Sequence, residues 1–174
     1  MSNPTLPELY NLYSRRVYNT VLSIVQHTSD AEEITQDVFV EIHRSIDNFK
    51  GESSISTWIY RVAVNRALDF LRYRKRKKRW AFFTREEAAI AVPDFHHPGV
   101  QLEQKENAAL LFKAIDRLPD SQKTAFVLSA IEELPQKEVA DIMKVSVGAV
   151  ESLIQRAKAN LRKDLEDFFP GRRI

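Results

Sequence analysis

The chain has 174 residues, 44% of them hydrophobic and none of them cysteine. That length suits one domain or two small ones, each able to bury a core, and the lack of thiols excludes disulfides and thiolate metal sites and fits a reducing compartment. Net charge is only +2, which alone points to no nucleic acid, but the charges are segregated: acidic from Asp30 to Glu41 and basic from Arg72 to Arg79 (RYRKRKKR).

The N-terminus, MSNPTLPELY, lacks the charged-then-apolar pattern of a signal peptide. No apolar run approaches the roughly 18 residues of a membrane span. A cytoplasmic protein without membrane insertion is expected. Four glycines are too few for a turn-rich sheet protein, and the periodicity is helical throughout.

The first helix is predicted over Leu6 to Gln26, where Leu9, Leu12, Tyr13, Val17, Val21 and Ile24 recur at helical spacing. Thr28, Ser29 and Asp30 then offer cap chemistry for a second helix, about Asp30 to Ile46. Ile34, Val38, Ile42 and Ile46 form its apolar stripe, and Glu33, Asp37 and Glu41 form an acidic stripe beside it. Such a row is most often a solvated face. A protein partner with a basic surface is the other reading. Acid–base catalysis or a metal finds no support, because no histidine or second acidic cluster completes a site.

Asn48 to Ser56 (NFKGESSIS) breaks the helical pattern. Ser56 or Thr57 is expected to cap a third helix, Thr57 to Arg79, with Ile59, Val62, Ala63, Ala67 and Phe70 on its buried side. Its polar face begins at Trp58 and carries Arg61, Asn65, Asp69 and Arg72, running on into the basic stretch. The bland reading is a solvated, dipole-stabilised helix end. The sharper one is a single-strand binding face, where cations track the backbone and flat groups stack on bases.

Ala81 to Pro98 lose periodicity, and Pro93, His96, His97, Pro98 and Gly99 mark the stretch within residues 81–106. They read as a linker that closes a first domain at residue 80. The two adjacent histidines read as loop rather than metal ligands.

Helix resumes near Gln101, with Leu110, Leu111, Ala114, Ile115 and Leu118 as its core face. Leu118-Pro119-Asp120-Ser121 is a stop followed by a cap, and the next helix is expected over Thr124 to Ile131, ended by Leu134-Pro135. Gln136 to Arg162 (QKEVADIMKVSVGAVESLIQRAKANLR) then reads as two short helices around a tight turn, the pattern of a helix-turn-helix. Ala140 is the small crossing residue. Val139, Met143 and Val145 are expected to pack the first helix and turn, and Val150, Leu153 and Ala157 to anchor the second. The usual turn glycine is replaced by Lys144, which must accept a left-handed conformation or force a different turn. Ala149, Glu151, Ser152, Gln155, Arg156 and Lys158 are expected to face outward, where such side chains meet base edges or phosphates. A plain helical hairpin with a solvated face is the alternative.

Taken together, the blocks LYNLYSRRVYNTVLSIV and DAEEITQDVFVEIHRSIDNFKGESSISTWIYRVAVNRALDFLR resemble region 2 of an RNA polymerase sigma factor of the extracytoplasmic-function type. The block LPDSQKTAFVLSAIEELPQKEVADIMKVSVGAVESLIQRAKANL resembles region 4. The resemblance implies an all-α protein of two small helical domains, region 2 in residues 1–80 and region 4 in residues 107–174. It implies a non-enzymatic, cofactor-free and metal-free subunit that binds core polymerase through the β′ clamp and β flap. That subunit would direct polymerase to −35 and −10 promoter elements, aid melting and answer to an anti-sigma factor.

By matching positions, the resemblance assigns Glu33, Gln36, Asp37 and Glu41 to core polymerase. It assigns Asn48, Lys50, Ser53, Ser54, Trp58, Arg61, Asn65 and Arg72 to the −10 strand and its flipped-out base. Ala149, Glu151, Ser152, Gln155, Arg156 and Lys158 fall to the −35 element. Glu151 and Leu153 depart from the basic residues often found at their positions. A rival reading is a helix-turn-helix regulator acting without polymerase, which needs a ligand or dimerisation domain in residues 1–80. A nucleic-acid enzyme is a second rival, but no carboxylate cluster, nucleophile–base pair or phosphate-cradling loop supports it.

Overall fold

A computed structural model of the chain describes residues 4–84 and 105–166. These fall into two compact units, Met1–Phe95 and His96–Ile174. Among the described residues all regular structure is helical.

The first unit is a bundle of three helices: α1 (Leu6–Val25), α2 (Thr28–Ser45) and α3 (Ile55–Thr84), each packed on the other two. The α1 N-terminus is fixed by Glu8, whose Oε2 accepts the Thr5 N–H at 2.7 Å and the Thr5 hydroxyl at 2.8 Å. These bonds, the backbone one foremost, hold the Glu8 carboxyl below its ordinary pKa. Gln26 ends the helix in a left-handed conformation (φ 54°), its N–H returning to the Leu22 carbonyl. The α2 cap differs from expectation. His27 precedes the helix, its Nδ1 is 3.4 Å from the Asp30 amide, and the helix starts at Thr28.

Val17, Val21, Ile24, Ile34, Val38, Ile42, Ile59, Ala63 and Leu71 are all buried between the three helices. Each large aliphatic among them contributes about 1.5–3 kcal/mol by leaving water. Phe70, expected in this core, is only half-buried, and Leu71 takes the inward place. Two hydroxyls that share the core donate to carbonyls one turn back: Thr20 to Arg16 at 2.9 Å and Thr35 to Ala31 at 2.6 Å. α3 begins earlier than expected because Ser54 supplies the cap, its Oγ accepting the Thr57 amide at 3.1 Å. It runs to Thr84, four residues into the expected linker. The remaining linker residues with Pro93, His96, His97, Pro98 and Gly99 lie outside the described residues, as do 101–104.

The second unit contains α4 (Lys105–Arg117), α5 (Asp120–Phe126) continued by a π turn (Val127–Ile131), α6 (Gln136–Met143) and α7 (Val147–Glu166). α5 starts at Asp120, directly after Pro119, rather than at Thr124. Phe112, Ala114, Ile115, Leu118, Val127, Leu128, Val139, Ile142, Val150, Ile154, Ala157 and Leu161 are among its buried apolar residues. Leu110 and Leu111, expected in this core, are half-buried, because Phe112 points inward instead.

Within this core Lys123 is 2% exposed. Its Nζ donates to Asp116 Oδ1 at 2.9 Å and ties α5 to α4. A buried ammonium needs such an acceptor. Gln122 and Asn160 join α5 to α7 through a 2.8 Å side-chain bond.

Candidate partner and nucleic-acid interfaces

Three surfaces carry the residues singled out by sequence. The first is on α2. Four-residue spacing places Glu33, Asp37 and Glu41 on one ridge, and Glu33, Gln36 and Asp37 are exposed. Glu41 is only partly exposed, and its Oε2 accepts from Arg66 Nε on α3. Asp37, Val40, Glu41, Arg44 and Arg66 line one groove of about 330 Å³. Val40 is 46% exposed in it. The acidic row is therefore bordered by two arginines and an open valine. Arg66 lies 25 positions from Glu41 in sequence, and only the packing of α3 on α2 brings them together.

The second surface follows the α2–α3 junction and the polar side of α3. A 3-10 turn, Ile46–Asn48, leads into the loop. Gly51 has φ +71°, a left-handed value that a side chain would strain. Asn48, Lys50 and Ser54 are exposed and Ser53 is half-buried. The Ser54 hydroxyl is committed to the cap and also meets Ser56 Oγ at 2.9 Å and Thr57 Oγ1 at 2.7 Å. Trp58 packs on Phe49, with ring centroids 5.2 Å apart. Its indole thus braces the loop against the helix and is half-buried rather than freely presented. Arg61 is half-buried, and Asn65 is exposed on the next turn.

Further along, Arg72 Nη1 donates to Asp69 Oδ1 at 2.7 Å. Both partners are mostly in solvent, so the pair is worth less than about 1 kcal/mol. It lines a groove with Lys75, Arg76 and Arg79. Arg72, Lys75, Arg76 and Arg79 thus share one basic face, while Arg74 turns back to the Val25 carbonyl at 3.3 Å. The exposed rings of Tyr73 and Trp80 on this stretch complete a surface of cations and aromatic groups suited to nucleic acid.

The third surface is the helix-turn-helix. α6 closes with Lys144 in the left-handed region (φ 55°, ψ 45°), and the N–H groups of Lys144 and Val145 both reach the Ala140 carbonyl. Lysine therefore accepts the conformation usually given to glycine. Ser146 caps α7, its Oγ accepting the Ala149 amide at 3.2 Å. Val145, expected to pack the turn, is 39% exposed, and Val147 is 42% exposed. The anchor of α7 is Ile154 rather than Leu153, which is half-buried, because Ile154 continues the Val150–Ala157–Leu161 row. Glu151, Ser152, Gln155, Arg156 and Lys158 are exposed and Ala149 half-buried, as the helical phase predicts. The Ser152 hydroxyl donates to the Gly148 carbonyl at 2.9 Å. Ser146 and Val147 were missed as surface residues because capping and exposure depend on where the helix begins.

Among the described residues no group of three or more histidines, cysteines or carboxylates is placed to hold a metal. No described helix is long and apolar enough to cross a membrane.

Residues 9–77 match the sigma-70 region 2 family, and residues 108–161 match sigma-70 region 4. The chain is 30% identical over 159 residues to the RNA polymerase sigma-H factor of Pseudomonas aeruginosa, covering 88% of this chain and 82% of that protein. It is likewise 30% identical over 165 residues to the ECF RNA polymerase sigma-E factor of Haemophilus influenzae, with 90% and 87% covered. In fold it is similar to the sigma factor RpoE in its complex with the anti-sigma factor NepR from Bartonella quintana. The TM-score is 0.69 at 18% identity, over 92% of this chain and 96% of that one.

Proposed function

This chain belongs to the extracytoplasmic-function sigma factors, polymerase-associated promoter-specificity factors, and on that premise we propose how its three surfaces divide the work. The family is one of non-catalytic initiation factors, and this chain acts by binding alone, in the cytoplasm, with core RNA polymerase and promoter DNA as partners. The observation that carries the reading is the ordered pair of a region 2 bundle and a region 4 helix-turn-helix in one chain. A regulator acting without polymerase would use the second but has no need of the first.

In this division residues 1–80 hold region 2, 81–106 the linker and 107–174 region 4. The α2 ridge of Glu33, Gln36, Asp37 and Glu41 binds the β′ clamp, and region 4 meets the β flap. The 48–56 loop with Trp58, Arg61, Asn65 and Arg72 takes the opened −10 strand. Unstacking one base costs a few kcal/mol, which a rigid pocket beside a basic helix can offset. The exposed side of α7 enters the major groove of the −35 element, as the second helix of this motif does. The fold neighbour from Bartonella quintana is held by an anti-sigma factor, and we assign this chain a regulator of the same kind. In vitro transcription with core polymerase on a randomised promoter library tests the whole. Transcripts that require the chain and share upstream and downstream sequence elements are expected. Transcription indifferent to the chain overturns the reading.

A further inference from the structure

The first three turns of α7 present an unusual set of groups. Val147, Glu151 and Gln155 follow one another at four-residue spacing, and Gly148, Ser152 and Arg156 form the adjacent row. Val147 is 42% exposed. A Cβ added at Gly148 would meet nothing within 4 Å. Nothing inside the fold thus requires a glycine there. Its bare backbone leaves room for a close approach from outside.

The Ser152 proton is spent on the Gly148 carbonyl, so this hydroxyl offers lone pairs. Glu151 is exposed, and its neighbours three and four residues away are Val147, Gly148, Ile154 and Gln155, none of them a cation. As a carboxylate it only accepts. From Val147 to Ser152 the side chains therefore offer methyl groups and acceptors, set between the Ser146 hydroxyl at the cap and the donors of Gln155 and Arg156.

Major-groove base edges sort against such a surface. Guanine shows only acceptors there, adenine sets its N6 amino donor beside an N7 acceptor that a carboxylate would oppose, cytosine shows its N4 amino donor alone, and thymine shows a 5-methyl group. Resting on the reading of α7 as the −35 helix, we propose that Glu151 is a specificity residue. It accepts from the N4 amino group of a cytosine and rejects guanine at that place, while Val147 packs on the C5 side of a neighbouring pyrimidine. Arg156 lies five residues further on, about 7.5 Å along the helix at 1.5 Å per residue. A guanine read by Arg156 then falls about two base pairs from the cytosine, at about 3.4 Å per step.

The test uses holoenzyme reconstituted from core polymerase and full-length chain, with a library randomised over the upstream element. Glu151 and Val147 are exposed, so E151Q, E151K and V147A should keep the wild-type melting profile. Wild-type protein should select cytosine at one position. E151Q and E151K should lose that preference by about 5- to 150-fold, the value of one good side-chain–base contact, with other positions unchanged. R156A should flatten a different position. Replacing a selected thymine by deoxyuridine should weaken wild-type binding about fourfold, the worth of one buried methyl, and leave V147A indifferent. Selection profiles identical between wild type, E151Q and E151K overturn the proposal while a preference erased by R156A keeps the −35 reading. A wild-type profile with no upstream preference at all overturns both.

Discussion

Arg66 on α3 donates its Nε proton to Glu41 Oε2 on α2, so the last carboxylate of the acidic ridge is already paired within the protein. The two side chains are 46% and 40% exposed, and solvent screening limits the pair to about 0.2–1 kcal/mol. It is weak enough for a basic group of the polymerase to replace Arg66 without unfolding the bundle. No basic residue lies three or four positions along α2 from Glu33 or Asp37.

We therefore expect E33K/D37K to abolish binding to core polymerase with an unchanged melting temperature. Arg66→Ala should leave core affinity equal or higher, because it removes a competitor for Glu41. Affinity measured with labelled core polymerase checks both, and tight binding by E33K/D37K would remove the ridge from the interface.

Asn65 can both donate and accept, as base-edge reading requires. Asn65→Ala should slow open-complex formation more than closed-complex binding. On a pre-opened bubble the defect should persist if Asn65 recognises a base and vanish if it assists melting. Permanganate footprinting on duplex and bubble templates separates the two, and normal opening with normal base preference would take Asn65 out of the site.

Arg156→Ala should weaken binding to the upstream element by about 1–3 kcal/mol if the guanidinium reads a base. Equal losses on cognate and scrambled DNA, with a shallower salt dependence, would show a phosphate contact instead. Binding titrations at several salt concentrations decide.

Lys123 and Asp116 make a sharper stability prediction. Their side chains are 3% and 35% exposed. Asp116→Ala leaves an ammonium in the core without its acceptor and should cost about 1–3 kcal/mol, less than a fully buried pair because water reaches the carboxylate. Lys123→Met removes the charge with its need for a partner and should cost less. Urea denaturation of the two variants checks the order, and equal losses would contradict it.

Lys144→Gly should stabilise the helix-turn-helix by about 0.5–1 kcal/mol. A left-handed residue with a Cβ carries about 1–2 kcal/mol of strain, and the greater freedom of glycine in the unfolded chain offsets part of its relief. A higher urea midpoint is the expected result, and an unchanged or lower one would show that the lysine side chain contributes contacts of its own.

What could be read in advance was whatever repeats along one helix. Ile34, Val38 and Ile42 announce their burial by four-residue recurrence, and the outward set from Glu151 to Lys158 follows from the same phase. Features that depend on a second helix were hidden. Arg66 lies 25 positions from Glu41, and nothing local pairs them. Lys123 reads as a surface residue until α4 brings Asp116 across it. Local caps were ambiguous for another reason: Ser53, Ser54, Ser56 and Thr57 all carry hydroxyls, and one residue of shift decides which accepts the amide. Val145 shows the converse error, since an apolar residue beside a turn is not thereby inside.

The π turn at Val127–Ile131 closes through Glu132 N–H to the Val127 carbonyl, and Leu134 N–H then reaches Leu128. Such a turn holds one residue more than an α turn, and each helical residue is worth about 100° of rotation. The chain thus enters α6 at an angular phase set by a single inserted residue. Deleting Ala130 would let a regular helix run on and swing α6 and α7 around the axis of α5. Every outward side chain from Glu151 to Lys158 would remain while the face they form turned to a new direction. The aim of α7 is therefore encoded in the length of this segment as well as in chemistry, and insertions or deletions here would act as changes of bearing.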